Sequence, residues 1–254
     1  MQTILTADRN AMGRLVADRA AEDLRNAIQQ HGHANLIVAT GASQFEVLEN
    51  LVKADGVDWS LVNGFHLDEY VGLSAEHPAS FCRYLKERFV DRVPLADFQY
   101  LYGDQDPAET IQRASRLISE SRIDVALVGI GENGHLAFND PPADFETADP
   151  YLLVELDRPC RMQQVGEGWF AQLDDVPTHA ISMSVKQILK SIKIYCSVPD
   201  SQKSVAVAAT IEGPITPAVP ASILKSHDQT LLIIDEASAA KLSPETVKTL
   251  ERSA

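Results

Sequence analysis

Short β-rich runs alternate with amphipathic helical stretches along the 254 residues, which predicts one doubly wound α/β domain. Its sheet is expected to be single and mostly parallel, with helices on both faces, in the Rossmann-like manner. Two further observations point the same way. Asp124–Ile130 (DVALVGI) is almost continuously apolar, as a strand buried on both faces would be. The NLIVA run at Asn35–Ala39 passes through a small-residue turn straight into a helical pattern, the order a strand–crossover–strand unit needs.

Taken in order, the first helix is predicted over Arg9–His31, with Met12, Leu15, Val16, Leu24 and Ile28 on its apolar face. After the strand at Asn35–Ala39, the stripe Phe45, Val47, Leu48, Leu51 and Val52 marks a second helix. Ser60–Leu67 reads as a strand, and Pro78–Val90 as a helix with Phe81, Tyr84, Leu85 and Phe89 inward. Asp106-Pro107 opens another helix, since proline suits a first turn. Leu152–Leu156, Ala180–Val185, Ile192–Val198 and Thr230–Ile234 are further strands, and Ser201–Ile211 and Pro244–Arg252 further helices. No linker-like or repeated tract interrupts this pattern. The Pro-rich stretches at Pro141-Pro142 and Pro214–Pro220 are loops too short to divide it, so residues 1–254 are expected to form one domain.

Lys plus Arg total 22 and Asp plus Glu 36, a net charge of -14, which argues against a nucleic-acid or anionic-membrane partner. A small anionic substrate is still compatible, because a few N–H groups and one lysine can make a local positive pocket. The three cysteines, Cys82, Cys160 and Cys196, form no CxxC pair and suit a reducing compartment; Cys160 and Cys196 read as small core residues. MQTILTADRN carries no basic-then-apolar leader, and the apolar runs are too short to span a bilayer, so a cytoplasmic protein is expected.

Ligands of open α/β sheets bind beyond the carboxyl ends of the strands, so four post-strand segments are candidates. Thr40-Gly41-Ala42-Ser43 at a helix start reads either as an anion site, with free N–H groups and two hydroxyls, or as a plain turn with Ser43 as N-cap. Asp68-Glu69 closes a strand; the adjacent carboxylates either raise one another's pKa for proton transfer or form a solvated acidic loop. His66, one strand repeat earlier, reads as a core residue. Gly129–Pro142 follows the most buried strand and carries His135 after three glycines and Asp140 five residues on, an acid–base pairing or a structural histidine in a Gly-rich turn. No HxxxH pair or Cys/His cluster accompanies His135, so no metal is expected. Lys203, in the first turn of a helix where a cation is unfavourable, is either a partner for a bound anion or a surface lysine.

Together these segments resemble the glucosamine-6-phosphate deaminase/isomerase family, which shares its fold with 6-phosphogluconolactonases. The family's TGGTP turn corresponds to Thr40-Gly41-Ala42-Ser43-Gln44, its DEYVGL is matched letter for letter at Asp68–Leu73, its GxGxxGHxxFNxP at Gly129–Pro141, and its SQK at Ser201–Lys203. The lactonase patterns DER and GxDGHxASLFP fit neither place. The resemblance implies conversion of an amino-sugar 6-phosphate to fructose 6-phosphate and ammonia, with no cofactor. Asp68 would then carry a proton between C2 and C1, His135 would open the sugar ring, and Asp140 would orient His135. Thr40, Gly41, Ala42, Ser43 and Lys203 would hold the phosphate, with Glu69, Gly134 and Arg161 as further binding candidates. Asn133 stands where some members have Asp and cannot act as a base. Ala42 replaces a glycine, and the family's arginine after the strand at Leu152–Leu156 has only Arg158 and Arg161 as near counterparts. The galacto epimer as substrate, a lactonase-type hydrolase and a non-catalytic sugar-phosphate sensor are the competing readings; a homo-oligomer is a family expectation.

Overall fold

A computed structural model describes residues 1–253. The chain opens with β1 (Gln2–Thr6) and the long α1 (Arg9–His31). Asp8 caps α1, its carboxylate accepting the Ala11 N–H at 2.8 Å, and Gly32 ends it at φ +80°, donating to the Ile28 carbonyl. β2 (Ala34–Val38) leads through a 3-10 turn at Ala42–Gln44 into α2 (Phe45–Leu51). Then come β3 (Val62–His66), β4 (Asp68–Tyr70), α3 (Phe81–Arg88), β5 (Asp97–Gln99), α4 (Pro107–Ser119) and β6 (Val125–Val128). β7 (Tyr151–Glu155), α5 (Arg158–Gly166), β8 (His179–Met183), α6 (Val185–Ile188) and β9 (Lys193–Val198) follow. The chain continues through α7 (Ser204–Glu212), β10 (Thr230–Asp235), α8 (Pro244–Thr249) and β11 (Glu251–Ser253).

Eight strands form one sheet in the order β11-β1-β10-β9-β6-β2-β3-β5, and every neighbouring pair is parallel. The period-2 alternation of its strands divides the core. Leu36, Val38, Val125, Leu127 and Ile233 pack with α1, α2 and α3 on one face. Ile37, Ala126, Val128, Ile194 and Ile234 pack on the other with α4, α7 and part of the second sheet. Among the described residues, no helix is long and apolar enough to cross a membrane.

The sequence places Leu152–Leu156 and Ala180–Val185 in the parallel sheet, and here the structure differs. Those runs become β7 and β8, which pair with β4 in a separate antiparallel sheet, β4-β8-β7. Along β7, Leu153 and Glu155 are exposed while Leu152 and Val154 between them are half-buried, the alternation of a strand with one covered face. The strand expected from Ser60 starts only at Val62, after a 3-10 turn at Trp59–Leu61. The helix expected from Ser201 splits into a 3-10 turn at Ser201–Lys203 and α7, and the one expected over Pro244–Arg252 stops at Thr249. The short β1, β5 and α5 carried no signal strong enough to be expected.

One junction positions the site. The Leu67 N–H still donates to Val38 in the large sheet at 3.3 Å, while its carbonyl accepts the Met183 N–H at 2.9 Å in the small one. The chain changes sheets at Leu67, and Asp68 is delivered to the seam beside the carboxyl edge of the parallel sheet.

Candidate active site

The turns after β2, β6 and β9 all leave the same edge of the parallel sheet, and with Asp68 they enclose a cavity of about 380 Å³. Thr40–Ser43, Asp68, His135 and Lys203 all line it. The turn after β2 is fixed from outside: the Tyr84 hydroxyl donates to the Gly41 carbonyl at 3.0 Å, and Arg9 to that of Ala42 at 2.9 Å. Gly41 lies at φ +90°, a conformation that favours glycine. Below it, the buried Gln44 amide donates to the Val128 carbonyl and the Ser197 hydroxyl, tying the turn to β6 and β9. Only a 3-10 turn and the seven-residue α2 follow, so hydroxyls and backbone N–H groups contribute more here than a helix dipole.

Asp68 and Glu69 are both buried, yet their surroundings are opposite. Glu69 accepts from the Tyr70, Phe81 and Cys82 backbone N–H groups and from the Ser80 hydroxyl, at 2.7–3.1 Å. Asp68 Oδ1 is buried with no hydrogen-bond partner. Burial and the neighbouring Glu69 push the Asp68 carboxyl up to about 8. Glu69 is also raised by burial, with its four hydrogen-bond donors opposing that shift. Glu69, named among the substrate-binding candidates, pins the start of α3 and is not among the residues that line the cavity.

His135 is held from three sides. Its Nδ1 lies 3.0 Å from Asp140 Oδ1, and its backbone N–H donates to Asn133 Oδ1 at 3.1 Å. Gly131 gives the ring its space: a Cβ there would stand 2.3 Å from two ring atoms. Asn133 donates to Asp140 Oδ1 at 3.0 Å, so it braces the carboxylate and does not line the cavity. Burial works against ionised Asp140, but hydrogen bonds from His135 and Asn133 outweigh it and hold the group below the usual carboxylate range. Gly134, at φ +86°, also stays off the cavity and shapes the loop, its carbonyl accepting the Ala221 N–H.

Arg161, a further binding candidate, is engaged elsewhere. Its guanidinium donates to the carbonyls of Leu173 and Val176 at 2.8 and 2.9 Å, which closes the loop after α5 and keeps the side chain out of the cavity. Lys203 is the one Lys or Arg among the described lining residues, and its Nζ is 3.2 Å from Glu167 Oε1. Glu132, Gln163, Glu167 and Asp200 also line the cavity and were not assigned from sequence. The fold also brings Cys160 to the His135–Asp140 pair, a proximity that no spacing along the sequence displays.

A doubly wound parallel sheet with a proton-bearing carboxyl and an imidazole–carboxylate pair in one carboxyl-edge cavity defines a class of acid–base enzyme. The chain belongs to the family of glucosamine-6-phosphate isomerases and 6-phosphogluconolactonases, whose sequence model matches residues 7–233. It is 33% identical over 236 residues to a glucosamine-6-phosphate deaminase of Streptococcus pneumoniae serotype 4, covering 92% of this chain and 97% of that one. A glucosamine-6-phosphate deaminase of Exiguobacterium sibiricum is 36% identical over 229 residues, covering 89% and 88%. Among solved structures, a monomeric glucosamine-6-phosphate deaminase superposes with a TM-score of 0.87 at 26% identity, covering 95% of this chain and all of that one.

Proposed function

We propose that this chain converts glucosamine 6-phosphate to fructose 6-phosphate and ammonia. The observation that carries the reading is the convergence of Asp68 and His135 on one cavity that also holds the Thr40–Ser43 turn and Lys203. The phosphate sits on the Thr40 and Ser43 hydroxyls, the turn's N–H groups and Lys203, with Glu167 yielding its hold on the lysine. Anchoring that remote group aligns the sugar's reducing end with the acid–base residues.

His135, oriented by Asp140, exchanges protons at the ring oxygen and O1 to open the pyranose. Ionised Asp68 then takes the proton from C2, which the C1 carbonyl acidifies, and returns it at C1. The imine left at C2 is hydrolysed by water, releasing ammonia. A carboxyl poised at about 8 is well matched to a step in which it must both accept and donate near neutral pH. Acid–base groups of this kind contribute about 10²–10⁴-fold each.

The test is ammonia and fructose 6-phosphate release from a panel of glucosamine 6-phosphate, galactosamine 6-phosphate and 6-phosphogluconolactone. The gluco substrate is expected to give both products, and Asp68→Asn to abolish turnover while binding survives. Lactone hydrolysis without ammonia release from either amino sugar would overturn the reading.

A further inference from the structure

The fold assembles a donor set that the acid–base reading does not use. Asp157 caps α5, its carboxylate accepting the Cys160 N–H at 2.6 Å, while the Asp157 N–H reaches Asp140 Oδ2 at 3.5 Å. The first turn of α5 therefore abuts Asp140 and turns the buried Cys160 thiol toward it. One ligand atom each from His135, Asp140 and Cys160 lies within 4.8 Å of the other two. We propose that these three side chains form a binding site for a thiophilic divalent cation of the zinc class, and that its occupation silences the His135–Asp140 pair.

The chemistry of the donors selects the ion. One thiol, one imidazole and one carboxylate suit a borderline-soft ion in tetrahedral coordination with its fourth position open; a hard ion such as magnesium prefers oxygen ligands. Metal–ligand bonds of about 2.0–2.3 Å place tetrahedral ligand atoms about 3.3–3.6 Å apart, so the donors adjust by roughly 1.5 Å at most. Asn133, which already donates to Asp140, would brace a ligating carboxylate in the same way. Binding costs one proton: the Cys160 thiol releases its hydrogen to solvent. The imidazole coordinates through Nδ1, its hydrogen moving to Nε2. Of the three donors, His135 lines the cavity.

Cobalt(II) alone, added to the full chain, is the first probe. The parent is expected to show a thiolate-to-cobalt charge-transfer band that zinc abolishes and magnesium does not. Cys160→Ser and the smaller, apolar Cys160→Ala are expected to lack the band. In chelator-buffered zinc, turnover of the parent falls, and either variant raises the inhibiting concentration by about 10–100-fold. Without metal, both variants are expected to keep activity within about twofold, since Cys160 has no acid–base part. Absence of the band in the parent, or equal zinc sensitivity of parent and variants, would overturn the site. The cobalt readout needs no substrate, so its failure is distinct from failure of the functional reading above.

Discussion

Two carboxylates adjacent in sequence receive different tasks because one has four donors and the other has none. Asp68 pays for its readiness in stability. The unfolded chain loses this proton near the ordinary aspartate value, whereas the folded chain keeps it up to about 8. Between those values the folded state binds the extra proton, so stability is lost as pH rises through that window and levels off above it. Asp68→Asn removes the linkage. The variant is expected to gain on the parent from pH 4 to 8, by on the order of a few kcal/mol, in urea melts at stepped pH. A constant difference across that range would count against a proton-bearing Asp68. Gly131 supports the opposite wall: Gly131→Ala drives a methyl group into the His135 ring. Turnover is expected to fall by about 10–100-fold with KM little changed and the melting curve close to the parent's, because what is lost is imidazole placement.

The elements show what the sequence made legible and what it hid. Long periodic segments such as α1, and continuous apolar runs such as β6, were readable because local pattern and burial agree in them. The strand character of residues 151–155 and 179–183 was readable too, but their sheet was not, since partner choice depends on contacts distant along the chain. The motif residues Asp68, His135, Thr40–Ser43 and Lys203 are legible in the sequence and line one cavity, whereas Glu69 and Arg161, equally legible, are hydrogen-bonded away from it. Charge identifies a residue that could bind an anion; only hydrogen-bond partners reveal that it is already engaged. Glu167, at the end of α5, is the reverse case, a carboxylate set against the lone lining cation. Glu167→Gln frees Lys203 for the phosphate and is expected to lower KM for the sugar phosphate by about 3–10-fold with kcat little changed. A raised KM in steady-state assays would mean that the pair helps to build the phosphate site instead.

The whole molecule carries a net charge of -14, and its substrate-facing cavity contains several carboxylates beside one lysine. A dianionic sugar phosphate must approach against that field. Added neutral salt screens it, so kcat/KM is expected to rise about 2–5-fold between roughly 10 and 200 mM ionic strength, measured at fixed pH. A fall would indicate that the local attraction of Lys203 outweighs the global repulsion. The division of labour between the two sheets also has a geometric corollary. The large sheet supplies the anchoring turn and the imidazole loop, while the small one fixes the direction of Asp68, and Leu67 is a single-residue hinge pin between them. Strand side chains reverse direction at every step. Inserting or deleting one residue between Phe65 and Asp68 would aim the acid at the packed interior, leaving every functional group present and the catalyst disassembled. Spacing at that crossing is thus constrained as tightly as chemical identity.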